Sequence, residues 1–402
     1  MRKRWLKTIV VVAIVAVLAA ACGRENDEAG GENGKAAVTA ATGLRTTLFK
    51  LFGEHVNLAT VAAARALTGN TPAFEAAAAA LDGNSNDIAA AIGSVYGEET
   101  QKAFDPLWKK HIGFVVSYVQ GKGAGDQAKQ DKAVDDLTAY AGEFGAVLES
   151  VTQGRLTKDA VSGLVSEHIG TLKTAIDGVA AKDFRKGFQD LRKAYAHMEM
   201  IASGLAGAIA DQKPGAVENG DPATPAGDLQ VTLFRLLGEH VNLASLATGQ
   251  ALAGNTPGFE AAAAALDGNS NDIAAAIGSV YGEETRQAFD PLWKKHIGFF
   301  VDYTQGKAAI DQAKQDKAVA DLTAYAAEFG AVIESVTEER LTKDAVSELV
   351  SAHIGGLKDV VDGFAAKDFA KSYAALRPAY AHMQMISDAL AGAIAEQFPD
   401  KY

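Results

Sequence analysis

The chain has 402 residues, of which 50 are acidic and 38 are Lys or Arg, for a formal charge of −12. An acidic balance of this size removes the electrostatic case for nucleic-acid binding, which depends on clustered cations meeting phosphates. A single cysteine, Cys22, excludes a disulfide framework.

The first residues place Arg2, Lys3, Arg4 and Lys7 ahead of an apolar run, "TIVVVAIVAVLAAA" from Thr8 to Ala21. That run is too short and wrongly flanked for a spanning helix. It leads into "LAAAC", Leu18 to Cys22. The segment 1–22 resembles a bacterial lipoprotein signal. The resemblance implies export, cleavage before Cys22 and a lipid on that cysteine, anchoring the protein to a membrane of the cell envelope. With Cys22 used in this way, no thiolate remains for a metal site or a nucleophile. Cleavage would also remove four cations and take the formal charge from −12 to −16. Residues 23–42, "GRENDEAGGENGKAAVTAAT", are polar and glycine-rich and read as a flexible tether.

The body is a tandem repeat. "TLFKLFGEHVNLA" from Thr47 recurs as "TLFRLLGEHVNLA" from Thr232, an offset of 185 that holds without a gap to the end, with about three quarters of positions identical. Two domains follow, 43–212 and 229–402, joined by a Pro/Gly linker at 213–228. Each is large enough for its own core. Alanine is abundant, proline is rare and apolar residues recur at three and four, so the fold class is all-α. Helices are expected over 42–68, 72–96, 98–121, 125–152, 158–180 and 183–211. They suggest antiparallel bundles, with four long helices and two shorter ones in each repeat.

Within the second helix, Thr71-Pro72 reads as an N-cap and first residue, and Gly83 as a kink or break. "DGNSND", Asp82 to Asp87, fails as a calcium loop because its sixth position is Asp87 and its twelfth Gly93; it reads as a turn instead. "GKGAGD" at Gly121 has no strand before it and loses two glycines in its twin, which rules out a phosphate loop. In the sixth helix of the second repeat, Pro378 replaces Lys193 and is expected to bend the helix.

Eight histidines fall four to a repeat: His55, His111, His168 and His197, then His240, His296, His353 and His382. In each repeat the four lie on four different predicted helices. His55 shares a stripe with Leu48, Leu51, Phe52 and Leu58. His111 lines up with Phe104, Leu107, Trp108 and Val115, and His168 with Val161, Leu164, Val165 and Leu172. These stripes are the ones a bundle turns inward. His197 is flanked by Lys193 and Gly204 and sits at the edge of its stripe. Buried neutral imidazoles need partners, and a metal ion in a bundle core is one.

Apart from Met1, every methionine lies in "AYAHMEM" (Met198, Met200) or "AYAHMQM" (Met383, Met385). A thioether beside imidazoles favours copper over a hard cation. The candidate ligands are therefore the eight histidines with Met200 and Met385. Copper is the first expectation and zinc the second. Glu54 and Glu239 are alternative ligands or supporting partners. No Glu-x-x-His pair flanks these histidines, as a di-iron carboxylate site would require. Non-covalent haem between two axial ligands is a lesser alternative, since no Cys-x-x-Cys-His occurs.

The expected role is metal binding, storage, sensing or handling at the envelope rather than catalysis. The competing reading is a structural or protein-interaction module whose histidines pack in the core and bond to backbone carbonyls. The two differ in one geometric respect. A metal site needs at least three of the four histidines of a repeat to converge on one point.

Overall fold

The computed structural model describes residues 38–402. The signal-like segment, Cys22 and the tether up to residue 37 lie outside the described residues. Twelve α-helices and no strand occur among the described residues. The first repeat contains α1 (Ala40–Leu67), α2 (Thr71–Tyr96), α3 (Glu98–Ala124), α4 (Gln127–Val151), α5 (Lys158–Ala180) and α6 (Phe184–Gln212). After a 3-10 turn at Pro214–Val217, the second repeat contains α7 (Pro225–Leu252), α8 (Thr256–Tyr281), α9 (Glu283–Ala309), α10 (Gln312–Val336), α11 (Lys343–Ala365) and α12 (Phe369–Gln397). No helix among the described residues is long and apolar enough to cross a membrane.

The helix starts are chemically marked. Asn70, Asp126, Thr157 and Asp183 each accept a hydrogen bond from the backbone amide three residues on, satisfying a donor that the helix itself leaves free. The cap of α2 is thus Asn70; Thr71 and Pro72 are already helical. The helices of the first repeat run from 23 to 29 residues, so the expected division into four long and two short ones does not hold.

Nor does α2 break or turn at "DGNSND". Asn84 and Ser85 are fully buried. Asn84 Nδ2 donates to Leu51 O at 2.9 Å and to Glu54 Oε2 at 2.7 Å, both on α1, and Ser85 Oγ donates to Leu81 O at 2.9 Å. Polar side chains that favour turns in isolation are satisfied here by a neighbouring helix, so tertiary contacts override local preference. Gly83 serves a close approach: a Cβ there would stand 2.7 Å from Arg377 Nη1 of the second repeat. The helix α12 passes through Pro378 as a single element.

Short connections make consecutive helices antiparallel neighbours. Each packs on the next, and α6 returns to α1, closing a six-membered ring; α1 also meets α3 and α5. The odd-numbered helices therefore run one way and the even-numbered ones the other. The second repeat is built the same way.

The repeats share a buried, self-complementary seam. Asn57 Nδ2 donates to Asn242 Oδ1 at 2.9 Å, and the Tyr195 and Tyr380 hydroxyls are 3.0 Å apart. Phe49 and Phe234 meet edge to face at 5.8 Å. Each pair joins residues 185 apart, as expected where two copies meet about a pseudo-two-fold axis. Gly53 and Gly238 make room for the tyrosines, since a Cβ on either would come within 2.7 Å of both rings or hydroxyls. One contiguous apolar core spans both repeats, so the two expected cores are joined across this seam.

Candidate metal centre

Three of the four histidines converge in each repeat. One ring nitrogen from each of His55, His111 and His168 lies within 4.8 Å of the others, and the same holds for His240, His296 and His353. All six rings are buried, at 1–7% exposure. The donors come from α1, α3 and α5, the three parallel helices of the ring, and from α7, α9 and α11. The Nε2 atoms of His55 and His111 are 3.2 Å apart, and those of His240 and His296 are 3.3 Å apart. The same distances allow a hydrogen bond between the two rings; two nitrogens at roughly 2.05 Å from a tetrahedral zinc would lie about 3.3 Å apart, so the spacing also suits two ligands of one ion.

The tautomer of His111 is set by its surroundings. Its Nδ1 lies in short contact with the Trp108 carbonyl, so Nδ1–H donates there and Nε2 carries the lone pair. The Trp293 carbonyl has a raising effect on the pKa of His296, but His296 Nδ1 makes no hydrogen bond. By contrast with His111, the Nδ1 atoms of His55, His168, His240, His296 and His353 are buried with no hydrogen-bond partner. A cluster of incompletely satisfied imidazoles is an expensive arrangement for a core that needs only packing.

Burial also keeps the rings neutral. It lowers the pKa of His111 to about 4, against the raising effect of the Trp108 carbonyl. Burial first, then the neighbouring His111 and His197, lowers His168 to about 3. His55 is pushed well below the ordinary histidine range by burial, then by His111 and His168. The second repeat matches, with His296 at about 4 and His353 at about 3. The neutral ring is the form that ligates a metal.

Two apolar cavities flank each triad. Residues before the histidines, including Phe52, Trp108 and Val165, line one with all three rings. Residues after them, such as Ala62 and Val119, line the other with His55 and His111. The histidine layer thus lies across the bundle axis. Aromatic rings wall the first cavity. Trp108 sits 4.8 Å from both His55 and His111, and Tyr140 stacks on His111 at 5.2 Å. Trp293 and Tyr325 repeat the arrangement.

Other expected ligands stand apart. His197 and His382 use Nε2 on the carbonyls of Leu164 and Leu349, each at 2.9 Å, and belong to neither triad. Their even-numbered helices run against the odd ones and deliver them to a neighbouring backbone. Met200 and Met385 point to solvent, at 56% and 49% exposure. The inward thioethers are Met198 and Met383, which line the same cavities as the triads. One helical step of about 100° separates them from the preceding histidine and two steps from the outward methionine.

Glu54 is also committed elsewhere. Its Oε1 accepts from Arg377 Nε at 3.0 Å, and its Oε2 accepts from Arg377 Nη2 at 3.1 Å and Asn84 Nδ2 at 2.7 Å. Glu239 is held in the same way by Arg192 and Asn269. Each therefore ties its repeat to the other, while the adjacent histidine faces the bundle interior. The aromatic wall was visible in the stripe of His111; the inward role of Met198 and Met383 had no separate signal, since both methionines of each motif lie next to the same histidine.

No protein-family model, curated protein or solved structure matches this chain.

Proposed function

We propose that the protein is an exported, lipid-anchored metal-binding protein. One transition-metal ion is held in each repeat, by His55, His111 and His168 and by His240, His296 and His353. The observation that carries this reading is the convergence of three buried ring nitrogens within 4.8 Å in both repeats. Three neutral imidazoles with an open position are a common donor set for zinc and copper. Copper is favoured by Met198 and Met383 in the walls of the same cavities; zinc is the second choice.

Haem fits less well. A haem would need two imidazoles facing each other across a flat macrocycle, whereas three ring nitrogens converge here within 4.8 Å. The role is metal binding or handling at the cell envelope, with the export and anchoring supported by the signal-like segment and Cys22.

The test is metal content. Residues 38–402, which contain all twelve helices, would be analysed by elemental analysis as purified and after loading with copper or zinc. Two ions per chain are expected, falling to one in His111→Ala and to none in His111→Ala/His296→Ala. A chain that takes up no stoichiometric metal would make the histidines packing residues and end this reading.

A further inference from the structure

The alanine-lined cavity on the far side of each triad is unexplained by metal binding alone. In the first repeat it measures about 140 Å³, in the second about 130 Å³. Its buried end is formed by His55 and His111, and its outer end by Val116 and Gln120, both exposed. Small side chains keep it open: Ala59, Ala62 and Ala66 stand one turn after another beyond His55 on α1.

The second repeat replaces three lining residues, with Thr248 for Ala63, Phe300 for Val115 and Thr304 for Val119, yet the volume changes by only 10 Å³. The added hydroxyls are turned back onto their own helices. Thr248 Oγ1 donates to Ala244 O at 2.9 Å and Thr304 Oγ1 to Phe300 O at 2.8 Å. The space stays apolar, and no Lys, Arg, Asp or Glu lines either copy.

We propose that this cavity admits a small neutral ligand of diatomic-gas size to the open coordination position of the metal. The proposal rests on the metal reading above. Three protein ligands leave a position for an exogenous molecule. The cavity is close in volume to the 150 Å³ apolar cavity that takes benzene or xenon in an engineered protein, so a diatomic molecule fits with room to spare. The uncharged lining selects against anions, which would be desolvated with no cation to meet them. Binding is coordination only: the ligand donates a lone pair to the metal, no bond breaks, and no electron or proton is transferred.

Carbon monoxide and copper(I) are the probes. Residues 38–402 would be loaded anaerobically with two equivalents of copper(I), the metal counted, and the sample equilibrated with carbon monoxide for infrared spectroscopy. One bound carbonyl per copper is expected. Ala62→Leu should halve the carbonyl band, and Ala62→Leu/Ala247→Leu should abolish it, with copper still at two per chain. Azide should leave the copper(I) protein's carbonyl band unchanged.

Copper bound at two per chain with no carbonyl band would overturn this inference and leave the metal site standing. So would a full band in the double variant, or displacement of carbon monoxide by azide. Failure to take up copper would overturn the metal reading and this inference with it.

Discussion

Copper(II) added to residues 38–402 should quench tryptophan emission in two equal steps' worth of metal. The only tryptophans in that span are Trp108 and Trp293. Trp108 is 4.8 Å from His55 and from His111, and Trp293 is 4.9 Å and 4.8 Å from His240 and His296. An ion on those imidazoles stands close to each indole, near enough for an open-shell metal to quench it strongly. The two indoles are equivalent in placement, so each site governs about half of the quenchable emission, and the titration ends at two ions per chain.

His168→Ala is the informative perturbation. His168 approaches His55 and His111 at 6.0 and 6.5 Å but forms no ring contact with Trp108. The variant therefore removes a ligand while leaving the reporter in place. It should remove one equivalent and half of the amplitude, and His168→Ala/His353→Ala should remove both. The loss of affinity at each altered site should exceed the roughly 10–100-fold seen when a supporting residue of a metal site is lost. His197→Ala/His382→Ala should keep the full amplitude and end point. An unchanged titration in the first double variant, or an abolished one in the second, would refute this assignment of ligands.

Three further outcomes follow from the packing. In the metal-free protein, the buried triads should make stability fall with acid. Their folded-state pKa values, about 4 for His111 and about 3 for His168, lie below the unfolded value near 6.5, so the unfolded chain takes up protons first. Stability is full above about pH 6.5 and should fall steadily as the pH drops towards 4; an acid-unfolding midpoint unchanged in His168→Leu/His353→Leu would contradict this. Ile310 occupies the left-handed region at φ 55° with its side chain exposed, where the first repeat has Gly125. Ile310→Gly should raise stability by about 1 kcal/mol in denaturant melts. Arg377→Ala leaves Glu54 buried with Asn84 alone, and should cost about 2–3 kcal/mol after allowing for the arginine's partial exposure; a change below 0.5 kcal/mol, on the scale of ordinary surface substitutions, would show that the seam does not depend on this pair.

Much of this protein is legible in its sequence. Helix periodicity and alanine content determine the all-α class, and the caps and glycines determine the helix ends to within three residues. The offset of 185 determines that whatever one repeat does, the other can do. The inward stripes of His55, His111 and His168 are also local facts, because a residue's face on a helix follows from 3.6-residue periodicity alone.

What the sequence could not decide is which stripes meet. His197, at the edge of its stripe, is a weaker candidate than His168, but only the packed structure shows that it gives its imidazole to the Leu164 carbonyl. Met198 and Met200 are two residues apart and end up on opposite sides of one helix wall. "DGNSND" reads as a turn until Leu51 and Glu54 of α1 supply partners for Asn84. Glu54 and His55 are neighbours in the chain, but one faces the other repeat and one faces the triad. That such neighbours point to different faces follows from helix periodicity; which face meets the triad depends on contacts between residues far apart in sequence, and those exist only once the ring of helices has closed.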